Sequence, residues 1–131
     1  MGAYQCMEYV ETHRTVLVVE DEALIRMCSV STLEDAGYNV VEAGNSAEAL
    51  AILARPNLIS IMMTDVQMPG TVNGLGLIAR VLNDRPDIRS IVASGTTTAQ
   101  DASDAGAFGM IAKPFMAQTL VDAIHDTILR H

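Results

Sequence analysis

Four strand-like apolar runs in this chain each stop at a charged or hydroxyl-bearing residue. The runs cover residues 16–19, 58–64, 90–93 and 109–112, and they lead into Glu20-Asp21, Asp65, Ser94 and Lys113. In a parallel α/β sheet the carboxyl ends of the strands lie along one edge, and such sheets bind their ligands there. Five residues that are far apart in the sequence are therefore predicted to meet in one pocket.

These runs alternate with helix-like stretches, which predicts repeated βα units around a parallel sheet. We expect about five helices and five strands, with strands at residues 15–19, 38–42, 58–64, 90–93 and 109–112 and helices that include residues 22–36, 47–55, 75–82 and 117–129. Gly37 ends the first helix, and Asn45 caps the second with Glu48 in a capping-box-like position. A chain of 131 residues suits one domain, which we place at residues 15–131 after an N-terminal extension at residues 1–14.

Composition narrows the class of protein. Half of the residues are apolar, the net charge is −8 and the pI is about 4.6. An acidic chain of this kind disfavours a nucleic-acid surface, which needs clustered Lys and Arg, and it also disfavours an anionic membrane. No run of about eighteen apolar residues is present, and the N-terminus does not resemble a signal peptide. Cys6 and Cys28 are interpreted as reduced thiols of a cytoplasmic protein.

The residues of the predicted pocket suggest a magnesium-dependent phosphoryl transfer. Three carboxylates at one edge would repel each other, and a hard divalent cation such as Mg²⁺ relieves that repulsion. Asp21 and Asp65 suit direct ligation, whereas the longer Glu20 could act through water. Lys113 would supply a fixed positive charge and Ser94 a hydroxyl donor, a combination suited to phosphoryl chemistry. Asp65 is the expected acceptor because a carboxylate can form an acyl phosphate.

Each of these residues alone has a simpler interpretation. An acidic residue such as Asp21 after a strand can merely cap the next helix, Ser94-Gly95 can be an ordinary turn, and Lys113 can be a solvated lysine. The functional hypothesis depends on the joint arrangement, with all five residues at strand ends.

The ordered set of motifs resembles the receiver domain of bacterial two-component response regulators. The resemblance rests on the acidic pair Glu20-Asp21, the segment from Thr64 to Gly70 around Asp65, the Ser94-Gly95 strand end, and Lys113-Pro114-Phe115. It covers the chain from about residue 15 to the C-terminus. It implies a flavodoxin-like, doubly wound parallel sheet of five strands in the order 2-1-3-4-5.

The resemblance also implies a role for each site residue. Asp65 would receive a phosphoryl group from a phosphohistidine on a sensor histidine kinase or a histidine phosphotransfer protein. Asp21, Asp65 and the backbone carbonyl of Gln67 would hold Mg²⁺, with Glu20 in support through water. Lys113 would pair with Asp65 and then with the phosphoryl oxygens, and Ser94 would move to hydrogen-bond them. The Lys113-Pro114 peptide is expected to be cis.

Two departures from the family pattern modify these expectations. The aromatic switch partner of the family is replaced by Met110, so we hypothesise that the hydroxyl–aromatic coupling is absent or is rebuilt around Phe108. The segment between Ser94 and Lys113 is about three residues short, which predicts a short or partly melted fourth helix.

The main hypothesis is a stand-alone response regulator whose output is a contact with an unidentified protein, a relay to another histidine or a sink for phosphoryl groups. An excised receiver is also compatible with the sequence. An aspartyl phosphatase is the enzymatic alternative, but Gln67 stands where such enzymes carry a general acid. A pseudo-receiver that binds partners without phosphorylation is the third alternative. Apart from its own phosphorylation and dephosphorylation, the chain is not expected to be an enzyme.

Overall fold

The fold is a five-stranded parallel sheet with helices on both faces. A computed structural model describes residues 14–68, 70 and 72–130. The strands are β1 (Thr15–Val19), β2 (Asn39–Ala43), β3 (Ile59–Asp65), β4 (Arg89–Ser94) and β5 (Gly109–Ala112). The helices are α1 (Ala23–Asp35), α2 (Ser46–Leu53), α3 (Gly74–Asp84), α4 (Ala99–Asp104) and α5 (Ala117–Leu129).

The sheet order is β2-β1-β3-β4-β5, and every pairing is parallel. This confirms the flavodoxin-like fold expected from the sequence. Residues 1–13 of the predicted N-terminal extension lie outside the described residues.

Strand β1 lies inside the sheet, between β2 and β3, and its apolar residues are buried on both faces. Leu17 and Val19 belong to the core cluster on one face, and Val16 and Val18 belong to the cluster on the other. All four side chains are fully buried. A strand covered on both sides has no need for alternating polar residues, which explains its continuous Val/Leu composition.

Side chains at the helix starts largely follow the sequence signals. The Asn45 side chain accepts a hydrogen bond from the Glu48 N–H at 2.8 Å, as its capping role predicts. The Glu48 carboxylate reaches the N–H of Gly44 at 2.9 Å, one residue before the cap. Asn73 caps α3 in the same way through the Gly76 N–H, so this helix begins one residue earlier than expected.

The fourth helix is short, as the shortened segment after Ser94 predicts. It spans six residues and is capped by the Thr98 hydroxyl, which accepts from the Asp101 N–H at 3.0 Å. Across residues 14–130, apart from Pro69 and Thr71, none of the helices combines the length and the apolar character needed to cross a bilayer.

Candidate functional site

The carboxyl edge of the sheet brings three acidic side chains together. Glu20 and Asp21 directly follow β1, and Asp65 is the last residue of β3. These strands are neighbours, and Val19 pairs with Thr64 in their register. One carboxylate oxygen from each of Glu20, Asp21 and Asp65 lies within 4.8 Å of the others. The cluster predicted from the sequence is therefore present in the structure.

Glu20 is the buried member of this cluster, with a relative exposure of 3%. Its Oε1 accepts a hydrogen bond from Lys113 Nζ at 2.7 Å, and its Oε2 accepts from the Glu22 N–H at 3.2 Å. Burial raises the pKa of Glu20, and the hydrogen bonds from Lys113 and Glu22 partly oppose that increase. Asp21, by contrast, faces solvent, so its carboxylate is more accessible than that of Glu20.

Lys113 joins the end of β5 to the acidic cluster. Besides Glu20, its Nζ contacts Asp65 Oδ2 at 3.2 Å. Burial alone would lower the pKa of Lys113, but the hydrogen bonds and negative charges of Glu20 and Asp65 together raise it. The ammonium is therefore retained at neutral pH. The Lys113-Pro114 peptide is cis, as the resemblance implies.

Asp65 is held on both its side chain and its backbone. Its Oδ1 accepts from the Gln67 N–H at 3.4 Å, and its carbonyl oxygen accepts from the buried Thr64 hydroxyl at 2.8 Å. The first residue of α3, Gly74, lies so close that a Cβ atom there would be 1.9 Å from that carbonyl oxygen. The start of α3 thus packs directly against the backbone of the candidate acceptor.

Ser94 ends β4 and is buried, but its hydroxyl is bonded within its own loop. Its Oγ accepts from the N–H groups of Thr96 at 3.2 Å and Thr97 at 3.0 Å, and it lies 3.0 Å from the Thr97 hydroxyl. The backbone of Ser94 is tied to the site, since its carbonyl accepts from the Lys113 N–H at 3.0 Å. The structure thus places Ser94 at the carboxyl edge of the sheet, where its hydroxyl is hydrogen-bonded to Thr96 and Thr97 of the same loop.

The two candidate switch residues lie at different places. Met110 pairs with Val92 in the sheet register and packs against the core. The ring of Phe108 lies 4.5 Å from the guanidinium carbon of Arg89. Arg89 begins β4 whereas Ser94 ends it, a separation of about 16 Å at the usual strand rise. The structure therefore does not bring Phe108 to Ser94, which argues against a switch rebuilt around that ring.

The donor set at this edge fits a small, hard divalent cation. Three carboxylates supply oxygen ligands, which Mg²⁺ prefers, and a single ammonium balances only part of their charge. Asp21 and Asp65 would hold such an ion. Because Glu20 is committed to Lys113 and to the Glu22 N–H, a supporting role suits it better than direct ligation.

Three contributors to this site were missed by reasoning from the sequence. Arg26 donates from its guanidinium to the Glu20 carbonyl oxygen at 2.7 Å. Gly74 and Thr64 both contact the backbone of Asp65, and the sequence assigns neither of them a role in the site. The spacing of Arg26 one helical turn after Glu22 indicates a pair between those two side chains, whereas the structure places the guanidinium on Glu42 and on the Glu20 carbonyl.

Replacing Lys113 by methionine is expected to destabilise the metal-free protein by about 3 kcal/mol at pH 7, because it leaves the buried Glu20 unpaired. Without the ammonium, the pKa of Glu20 would rise further above its ordinary value. The folded variant then binds more protons than its unfolded state, so its stability falls as pH rises from the ordinary pKa of a glutamate to the raised pKa of Glu20 in the folded state. Urea unfolding in EDTA should show a wild-type advantage that widens from pH 4 to pH 7.

The double variant Lys113→Met/Glu20→Gln provides the control for this prediction. It removes the unpaired charge along with its partner, and it should recover most of the lost stability. A difference between wild type and Lys113→Met that stays constant with pH would contradict the proposed ion-pair origin.

Sequence comparison finds a family model and several curated proteins that are similar to this chain. The family model described as "Response regulator receiver domain" matches residues 16–125. The chain is 37% identical over 122 residues to the transcriptional regulatory protein PdtaR of Mycobacterium tuberculosis, covering 89% of this chain and 58% of that protein. It is 36% identical over 121 residues to the sensor kinase CckA of Brucella abortus (strain 2308), covering 87% of this chain and 12% of the kinase.

A solved structure shows the same architecture. The crystal structure of a response regulator receiver domain protein from Clostridium thermocellum superposes with a TM-score of 0.80 at 30% identity, covering 88% of this chain and 94% of the other. The chain spans less than two thirds of the length of the curated relatives named above, from 12% to 58%.

Proposed function

This chain belongs to the family of response regulator receiver domains, and we propose that it accepts a phosphoryl group on Asp65 in a two-component signalling system. The observation that carries the proposal is the position of Asp65, which shares the Lys113 ammonium with Glu20 and lies in one cluster with Asp21. A carboxylate placed between a fixed cation and a candidate metal site is suited to phosphoryl chemistry, in which charge neutralisation does most of the work.

The proposed reaction transfers the phosphoryl group from a histidine of the donor protein. An oxygen of Asp65 forms a bond to phosphorus as the P–N bond to the donor imidazole breaks. The electron pair of that bond stays on the imidazole nitrogen, which takes up a proton from water, and Asp65 becomes an acyl phosphate. A bound Mg²⁺, held by Asp21, Asp65 and the backbone carbonyl of Gln67, would supply neutralisation of the phosphoryl charge.

Ser94 and Lys113 are proposed to respond to the new charge, which is nearly two negative units. Lys113 already contacts Asp65 and can turn to the phosphoryl oxygens without leaving the site. Ser94 would have to redirect the O–H that it donates to the Thr97 hydroxyl toward a phosphoryl oxygen, and that rotation would give up the bonds that its Oγ accepts from the Thr96 and Thr97 N–H groups. That exchange would shift the β4–α4 loop, with Met110 in place of an aromatic partner.

An apolar groove beside Lys113 supports a protein partner as the donor. The groove lies between α1 and the start of α5, and Leu24, Cys28 and Phe115 are among the residues that line it. The side chain of Leu24 is largely exposed, as is that of Met116, which follows the lining residue Phe115 in the chain. We propose that a helix of a sensor histidine kinase or histidine phosphotransfer protein docks here and presents its phosphohistidine to Asp65.

The remaining parts of the proposal concern setting and output. We propose that residues 15–131 form the receiver, that it acts in the cytoplasm, and that phosphorylation alters a contact with a downstream protein rather than with nucleic acid or a membrane. The net charge of −8 favours this interpretation. Catalysis is limited to the protein's own phosphorylation and dephosphorylation.

Incubation with Mg²⁺ and acetyl phosphate tests the proposal. We expect one acid- and hydroxylamine-labile phosphoryl group per chain, detected by intact mass spectrometry, and no modification when EDTA is present. The small donor replaces the unidentified kinase, so a negative result cannot be attributed to a missing partner. Beryllofluoride provides a second probe, and its binding should shift the NMR signals of the Ser94–Thr98 loop.

The same experiment separates the alternatives. Rapid release of many equivalents of inorganic phosphate per chain, with no phosphoryl group retained on the protein, would favour a phosphatase with an aspartyl nucleophile. Absence of both modification and beryllofluoride binding would favour a pseudo-receiver. Either outcome would contradict the phosphoacceptor function.

A further inference from the structure

Arg26 connects the first turn of α1 to the backbone of the acidic cluster. Its side chain is 22% exposed, and its Nη1 donates to the carbonyl oxygen of Glu20 at 2.7 Å. Its Nε contacts Glu42 Oε1 at 3.0 Å, on the edge strand β2. The guanidinium therefore spans two strand ends and is pre-organised as a planar fork.

The carbonyl that Arg26 binds belongs to the peptide that joins Glu20 to Asp21. The other side of Glu20 is also held, because its N–H donates to the Ala43 carbonyl at 3.0 Å. The Glu20 side chain is fixed by Lys113 and the Glu22 N–H. Asp21 faces solvent at this turn, so the orientation of its carboxylate depends on the plane of the preceding peptide.

We infer that Arg26 is a positioning residue for the metal site, holding the Glu20–Asp21 peptide so that Asp21 stays directed toward Asp65. The inference rests on the proposed function, in that it assigns Mg²⁺ to this cluster. Groups that orient metal ligands change metal affinity without touching the ion. Loss of the Arg26 contact should therefore weaken Mg²⁺ binding and leave the chemistry at saturating Mg²⁺ unchanged.

A purely structural role makes a different prediction. If Arg26 served only to fasten α1 to β2, its ion pair with Glu42 would be the important contact. Removing the Glu42 charge would then weaken Mg²⁺ binding as much as removing Arg26. If the contact with the Glu20 carbonyl determines Mg²⁺ affinity, Glu42→Gln should change that affinity little. The reason is that an ion pair with an exposed carboxylate contributes little free energy.

The experiment is calorimetric titration of the metal-free protein with Mg²⁺, comparing wild type, Arg26→Met, Glu42→Gln and Arg80→Met. Methionine keeps much of the apolar stem of Arg26 and removes the fork. Arg80 is the matched control, because it is 61% exposed on α3 and pairs only with Asp84 among the contacts of the described residues. We expect Arg26→Met to raise the Mg²⁺ dissociation constant about tenfold, and the other two variants to stay within about twofold of wild type.

A parallel assay follows the initial rate of acetyl phosphate labelling as Mg²⁺ is increased. Arg26→Met should require about tenfold more Mg²⁺ for half-maximal labelling and should reach the wild-type maximal rate. Equal Mg²⁺ affinity in wild type and Arg26→Met would overturn the inference, as would equal losses in Arg26→Met and Glu42→Gln. Failure of the wild type itself to bind Mg²⁺ would overturn the metal site and the proposed function together. Failure of the Arg26 inference alone is therefore distinguishable from failure of the proposed function.

Discussion

Asp65→Asn is expected to abolish phosphoryl incorporation from acetyl phosphate. The asparagine side chain matches aspartate in size, but its neutral amide oxygen is a poor nucleophile and cannot form the same acyl phosphate. The hydrogen bond from the Gln67 N–H can be retained at the amide oxygen, so local geometry should change little. Mass spectrometry of the intact variant should show labelling at background level, and peptide mapping of the wild type should locate the modification at Asp65.

Stability provides the check that Asp65→Asn remains folded. The substitution removes one ion pair with Lys113, but it also removes one of three like charges, and Lys113 keeps its 2.7 Å contact with Glu20. The thermal midpoint in EDTA should therefore stay within about 4 °C of wild type.

Asp84→Asn is the matched control, because Asp84 lies exposed at the end of α3 and pairs with Arg80. It should be labelled as the wild type is. Incorporation at the wild-type level in Asp65→Asn would show that the acceptor is a different residue.

Gly74→Ala is expected to damage both the fold and the site. A Cβ atom at Gly74 would lie 1.9 Å from the Asp65 carbonyl oxygen and 2.8 Å from the Val66 Cα. Both are backbone atoms, so no rotation of a side chain can relieve the overlap. The start of α3 or the end of β3 must move, and we expect a loss of about 3 kcal/mol in the free energy of unfolding.

The displacement should also lower the rate of phosphoryl transfer, because the backbone that the new Cβ atom overlaps belongs to the proposed acceptor, Asp65. The Gly74 N–H donates to the Val66 carbonyl at 2.9 Å, so α3 cannot retreat without breaking that bond. We expect the rate of acetyl phosphate labelling in the folded fraction to fall at least about tenfold, since small misplacements of reacting groups have large effects. Urea unfolding and the labelling rate at saturating Mg²⁺ measure the two effects separately.

Gly76→Ala is the matched control for this prediction. Gly76 lies two residues further along α3, and a Cβ atom there would meet the Val72 side chain at 3.2 Å and the Asn73 side chain at 3.6 Å. Side chains can adjust, and alanine favours a helix by about 1 kcal/mol over glycine, so this variant should be neutral or slightly stabilised. Equal losses of stability and labelling rate in Gly74→Ala and Gly76→Ala would show that the close approach at Gly74 does not cause them.

The polar ends of the strands were predictable because they depend on local pattern. A parallel strand that is covered on both faces is continuously apolar, so Glu20, Asp65 and Lys113 each mark the place where an apolar run ends. The short fourth helix was predictable for a similar reason, since the number of residues between β4 and β5 limits its length. Burial and chain length are properties that a single sequence displays directly.

The contacts among those residues were not predictable in the same way. Lys113 and Glu20 are separated by 93 positions in the chain, and no local pattern states that Glu20 turns inward while Asp21 faces solvent. Phe108 shares strand parity with Met110, but its ring packs on Arg89 at the amino end of β4. Parity assigns a face of the sheet and does not determine how far along the strand a side chain lies.

For this protein, the sequence by itself determined the parallel sheet and the edge that carries the acidic residues. The reason is that strand burial and strand direction follow from the order of the apolar runs and of the polar residues that end them. Only the tertiary structure decided the partners of each group: the ammonium shared by Glu20 and Asp65, the Arg26 fork on the Glu20 carbonyl, and the approach of Gly74 to Asp65. These are distances between segments remote in the chain, and such distances are set by the packing of the whole domain.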